Sequence, residues 1–83
     1  MKQTRAEVEC YAGGRADERP RRVRAGGREH VIARLLGSSV EESIDSNGLI
    51  HRYRVVTVEG LVLDLVRTSS AEWYLLNERR MRE

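Results

Sequence analysis

With 83 residues, 40% of them hydrophobic and 34% charged, the chain has material for one globular domain, too little for two, and too many apolar residues for a disordered segment. A net charge of +2 names no partner by itself, and the single cysteine, Cys10, excludes an internal disulfide. The aromatic set is Tyr11, Tyr53, Tyr74 and Trp73 with no Phe, so the core must be built from Val, Leu and Ile.

In chain order, Ala6–Ala12 alternates, with Ala6, Val8, Cys10 and Ala12 on one side and Glu7, Glu9 and Tyr11 on the other. That is the period of a strand with one buried face. Gly13-Gly14 ends it and "RADER" is predicted as a charged loop. Pro20 suits the first residue of a strand because it has no amide hydrogen, and "PRRVRA" follows as a short strand. Gly26-Gly27 predicts a two-residue hairpin, since both glycines accept positive φ. The run "REHVIARLLG" carries two patterns: Val31, Ile32, Leu35 and Leu36 have helical spacing, whereas Val31, Ala33 and Leu35 share a strand face. Completion of the hairpin favours the strand. Ser38–Gly48 is polar and turn-rich and reads as a loop closed by Asn47-Gly48.

The C-terminal half reads as a meander. His51–Val58 is rich in β-branched and aromatic residues, Glu59-Gly60 is expected to make a two-residue turn, and Leu61, Leu63 and Leu65 alternate with Val62, Asp64 and Val66. "TSS" turns the chain into a last strand that sets Trp73 and Leu75 against Tyr74 and Leu76. Residues 77–83 read as a charged tail with room for a short helical turn. The expected fold is a single all-β domain over 1–83, ordered from about 6 to 76. Its five or six antiparallel strands would form a strongly twisted sheet or half-open barrel.

The order of "VECYAGG", "RPRRVRAGGREHVIARLL", a polar loop and "YRVVTVEGLVLDLVRTSSAEWYLL" resembles a family of small uncharacterised bacterial proteins, a domain of unknown function. The matching elements are Arg19-Pro20, Val23, Gly27-Arg28, the hairpin of Val56, Thr57, Glu59 and Gly60, and Trp73-Tyr74-Leu75. Relatives of that family also occur as the C-terminal segment of some degenerate homologues of Y-family DNA polymerases, so the resemblance implies an accessory role and makes a DNA-repair setting an expectation. The family often carries a Trp shortly after its third strand; here that position falls in "LLGSSVEES", without one.

Candidate sites follow from charge and spacing. Residues 1–36 hold nine Lys or Arg against five acids, and the remainder six against eight, so the basic excess sits at the front. Arg15, Arg19, Arg21, Arg22, Arg24 and Arg28 form the candidate phosphate-binding cluster, with Tyr11 and Tyr53 as stacking partners if they face outward. Asp17 and Glu18 inside the cluster favour simple surface charge instead. Tyr74 and Leu76 are expected as an outward pair for a protein contact, and open sheet edges invite strand addition or a weak homodimer. Cys10, His30 and His51 lack metal-ligand spacing, and Cys10 is expected in the core, so no metal, cofactor or catalytic constellation is assigned. Asp64 is expected to be solvated beside an arginine. The protein is expected to be cytoplasmic, not membrane-bound and not an enzyme. It is expected to be a monomer or weak homodimer that binds a protein partner, with nucleic acid as the alternative ligand.

Overall fold

The structure, a computed structural model, describes residues 3–11, 19–43 and 48–81. Six strands follow in order: β1 (Thr4–Cys10), β2 (Pro20–Ala25), β3 (Arg28–Ser43), β4 (Gly48–Thr57), β5 (Leu61–Arg67) and β6 (Trp73–Arg80). Each pairs antiparallel with its neighbour in sequence, and β1 pairs with β6, which closes the sheet into a barrel. The all-β expectation therefore holds, with full closure where a half-open barrel was allowed.

The core repeats the predicted alternation. Ala6, Val23, Ala25, Ile32, Tyr53, Val55, Leu61, Leu63, Leu65 and Trp73 form one buried cluster, and Val8, Cys10, Leu35 and Leu75 pack against it. Cys10 is thus a partly buried lining residue, where a cysteine outside a disulfide packs as a small hydrophobe. Gly26 and Gly27 make the expected two-residue turn with φ of +60° and +78°, the geometry of a type I′ hairpin. Residues 28–36 are strand, as the hairpin required.

Four expectations are corrected. Ser38–Gly48 is not all loop: β3 runs on to Ser43 and pairs with β4 from its first residue, Gly48. Cross-strand pairs such as Val40 with His51 and Glu41 with Ile50 supply the regularity that the polar composition concealed. Residues 77–80 are not tail or helical turn but the end of β6, held by pairing with Leu61–Asp64. No helix occurs among the described residues, and strand runs beyond 6–76 at both ends, from Thr4 to Arg80. The β4–β5 connection takes three residues, Val58–Gly60, not two, and ends on Gly60 at φ +89°.

The barrel is uneven, and this positions the surfaces below. Among the described residues β1 joins β6 through three pairs, Thr4–Leu75, Arg5–Tyr74 and Ala6–Trp73. β3, at 16 residues, pairs with β2 over Arg28–Val31 alone and with β4 from Ile32 to Ser43. Two register shifts, at Ala33 and Leu36, bend it on the way.

Candidate interaction surface

Three exposed regions can be built from their residues. The first is the predicted arginine cluster. On the outer face of β1–β2–β3, Glu7 stands opposite Arg24, which stands opposite Glu29, and Glu9 stands opposite Arg22. The side chains pair accordingly. Arg22 Nε lies 3.1 Å from Glu29 and 3.9 Å from Glu9, and Arg24 lies 3.3 Å from Glu7 and 3.9 Å from Glu29. Three acids thus outnumber two arginines on this face. Such solvated pairs contribute at most about 1 kcal/mol each, but they offset the charge that Arg22 and Arg24 would offer a phosphate backbone. Arg28, at the hairpin end, pairs with Glu78 of β6 at 3.2 Å. Arg19 is exposed, and its carbonyl accepts a hydrogen bond from the Tyr11 amide. Arg21 sits over the exposed Tyr11 ring at 5.8 Å. Arg15, Asp17 and Glu18 lie outside the described residues.

Tyr53 is corrected as an outward stacking residue. It faces the interior, with its ring 5.3 Å from Trp73 and 6.5 Å from His51, because the odd positions of β4 point inward while Arg52 and Arg54 point out. Tyr74 and Leu76 do not form the expected outward pair either. Asp64 pairs with Asn77 and Leu65 with Leu75, so Leu76 is the extra residue of a β-bulge and leaves the face of Tyr74. Tyr74 is half-buried, donates its hydroxyl to Glu72 at 3.1 Å and carries Arg5 over its ring at 5.7 Å.

The second region is the outer face of β4–β5–β6, whose significance the charge count by chain half concealed. One cross-strand row reads Arg34, Val56, Val62, Arg79, and another reads Arg52, Val66, Tyr74, Arg5. The three valines are buried although they alternate with the core residues of their strands, since long side chains flank them on both sides. Between the rows, Arg54 Nε donates to Asp64 at 2.7 Å, Arg79 lies 3.7 Å from the other carboxylate oxygen, and Asn77 donates to that oxygen at 3.5 Å. The hydrogen bond to Asp64, and then its charge, raise the pKa of the Arg54 guanidinium above its ordinary value. Asp64 is therefore the outward, arginine-paired acid expected from the alternation, but it is half-buried rather than solvated, engaged by three neighbours. A groove of about 600 Å³ is lined by residues of both faces, the outward Arg52, Arg54, Asp64 and Asn77 and the inward Tyr53 and Leu65, together with Leu36 and Leu76. Arg5, Arg34, Arg52, Arg54 and Arg79 outnumber Glu41, Asp64 and Glu72 here, so a basic excess also lies outside the predicted cluster. The alternation of "HRYRV" already places Arg52 and Arg54 on one face, a signal that composition by chain half does not use.

The third region is the projecting end of β3–β4. Leu36, Val40 and Leu49 are large apolar residues in the exposed class on this ribbon. From residue 33 to 43 the side of β3 turned toward β2 pairs with no described strand. This stretch carries one arginine and two acids, and no proline or lysine that would discourage pairing. Its Gly37 and its serines give it the composition of a loop, which hides the edge from a reading by residue type.

Among the described residues no three His, Cys, Asp or Glu side chains group to hold a metal ion. His30 is buried at 2% exposure, with Nδ1 3.3 Å from a Glu59 carboxylate oxygen that reaches over from the β4–β5 turn. No helix among the described residues is long and apolar enough to cross a membrane. No family model, curated protein or solved structure matches the chain.

Proposed function

We propose that the protein is a non-catalytic interaction module that binds other proteins by strand addition along the outer edge of β3. The observation that carries this reading is the edge over residues 33–43, which pairs with no strand among the described residues and carries the exposed Leu36 and Val40. Strand addition draws affinity from main-chain hydrogen bonds and specificity from alternate side chains, and a chain of this size can offer it without a deep pocket. A cytoplasmic accessory role, in keeping with the family resemblance, belongs to the same reading. A photo-crosslinking residue at Val40 is expected to give discrete protein adducts in cells. The same residue at Val58, 65% exposed on the β4–β5 turn, is expected to give none. Equal labelling from both positions would contradict the assignment.

The second reading, nucleic-acid binding, is favoured by the basic excess on the β4–β5–β6 face rather than by Arg15–Arg28. In a titration with a short oligothymidylate, Arg52→Glu with Arg79→Glu is expected to abolish whatever salt-sensitive binding exists. Arg22→Glu with Arg24→Glu should change it by less than about threefold, since those arginines are already neutralised. Absence of binding at physiological salt removes this reading.

A further inference from the structure

We infer that the strand added to the β3 edge is that of a second copy of this chain, related by a twofold axis midway between the two Ser38 residues. The inference rests on the strand-addition reading and names its partner. Its basis is the register of β3 itself. Measured against β4, Arg34 and Val56 share the outer face, Leu35 and Val55 the inner, Gly37 and Arg54 the outer, and Ser38 and Tyr53 the inner. Ser39, Val40 and Glu41 continue the alternation opposite Arg52, His51 and Ile50, and Leu36 is the extra residue of the bulge.

An antiparallel copy centred on Ser38 sets Ser39 opposite the partner copy's Gly37, Val40 opposite its Leu35 and Glu41 opposite its Arg34. Every pair lies on one face, which a correct ladder requires. The first pair is small, the second apolar and the third oppositely charged, and the dyad repeats each of them. An isologous interface demands such self-complementarity. The segment has it because its basic and acidic ends are equidistant from the centre along the ladder. Two features inside the chain fit this pairing. Arg34 is exposed and makes no ion pair with a described residue, so its charge is available in trans. Glu41, 3.0 Å from Arg52, would be shared between that arginine and the partner copy's Arg34. At the axis, Gly37, Ser38 and Ser39 bring no bulk that would hold two backbones apart; a Cβ added to Gly37 meets nothing within 4 Å.

The decisive experiment is a charge exchange in trans, read by sedimentation equilibrium. Wild type is expected to dimerise. Arg34→Glu alone and Glu41→Arg alone each place like charges opposite one another twice, and each should weaken the dimer by about tenfold or more. Mixing the two variants restores opposite charges at both positions, so the mixture should form a heterodimer of near wild-type affinity. Circular dichroism of each variant verifies the fold. A wild type that stays monomeric up to about 1 mM, or variants that do not complement in the mixture, would overturn the dimer. Amide exchange of wild type at low concentration separates this failure from that of the parent reading. Fast exchange across residues 33–43 leaves the edge open for another protein, whereas protection in the monomer removes strand addition altogether.

Discussion

Replacing Trp73 by alanine is expected to lower the free energy of unfolding by about 3–5 kcal/mol, the range for truncating a buried large aromatic. Single small domains of this size hold about 5–10 kcal/mol in all, so the variant should lose a large fraction of its stability and unfold at much lower urea. Two effects act together. Trp73 is 8% exposed and packs against Tyr53 with ring centroids 5.3 Å apart and planes tilted by 39°, so its loss opens a cavity beside one of the few other large core side chains. It also stands opposite Ala6 in the three-pair ladder that closes the barrel. A cavity there removes packing at the weakest seam, where little backbone pairing remains to hold β1. Urea denaturation followed by far-ultraviolet circular dichroism checks this, and amides of β1 should lose exchange protection first. Tyr74→Ala is the matched control. Its ring lies outside the barrel against Arg5 and Glu72, and its loss should cost about 1 kcal/mol, the scale of an exposed cation–π contact with a solvated hydrogen bond. Similar costs for both variants would contradict the assignment of inner and outer faces.

That contrast follows from alternation alone, which is why most of the fold was legible in the sequence. Leu61, Leu63 and Leu65 against Val62, Asp64 and Val66 define both faces of β5 and place Asp64 outside among arginines. Gly26-Gly27 defines the β2–β3 hairpin, because only residues that tolerate positive φ suit both positions. Legibility failed where pairing, not side-chain type, makes the strand. Ser38–Ser43 has neither β-branched richness nor a buried face of its own, and it is strand because β4 runs alongside it. The same holds for Asn77–Arg80, whose four polar residues are held extended by Leu61–Asp64. Propensity is a weak guide when half of the ladder is supplied by a neighbour.

The candidate surfaces were less legible, for a related reason. Counting charge along the chain places the basic excess at the front, but the register of β1, β2 and β3 interleaves Glu7, Glu9 and Glu29 with Arg22 and Arg24. Sequence distance hides these cross-strand partners. Conversely, Arg5, Arg34, Arg52, Arg54 and Arg79 are scattered over four strands, and closure of the barrel brings them to one face. Bulges account for the rest, because each extra residue resets which side chains share a face. Strict alternation puts Leu76 on the side of Tyr74, yet as the extra residue of a bulge it leaves that face and lines a groove with Leu36.

Thr57→Val is expected to cost about 1–3 kcal/mol, although it keeps the size and branching of the side chain. Thr57 ends β4 and is 2% exposed, which would suit valine equally well on volume. Its hydroxyl, however, accepts from the Glu59 amide at 3.2 Å and from the Leu61 amide at 3.0 Å, and its carbonyl accepts from Gly60 at 3.0 Å. The hydroxyl therefore organises the three-residue turn and satisfies the first amide of β5. Valine leaves the Leu61 amide without that acceptor in a buried setting, and the cost of desolvating an unpaired amide outweighs what the extra methyl group contributes. Thr57→Ser separates the two contributions, because it keeps the oxygen and loses one methyl group, a change of about 1 kcal/mol. The expected order of stability is wild type, then serine, then valine. Valine above serine would mean that packing, not the oxygen, holds this turn. The consequence reaches the outer face, since the turn sets the register that brings Arg54 to Asp64 and carries Glu59 to the buried His30. In the valine variant the Leu61 amide should exchange faster in native conditions, and the amides of Glu59 and Asp64 should shift with it, while those of β1 and β2 keep their positions.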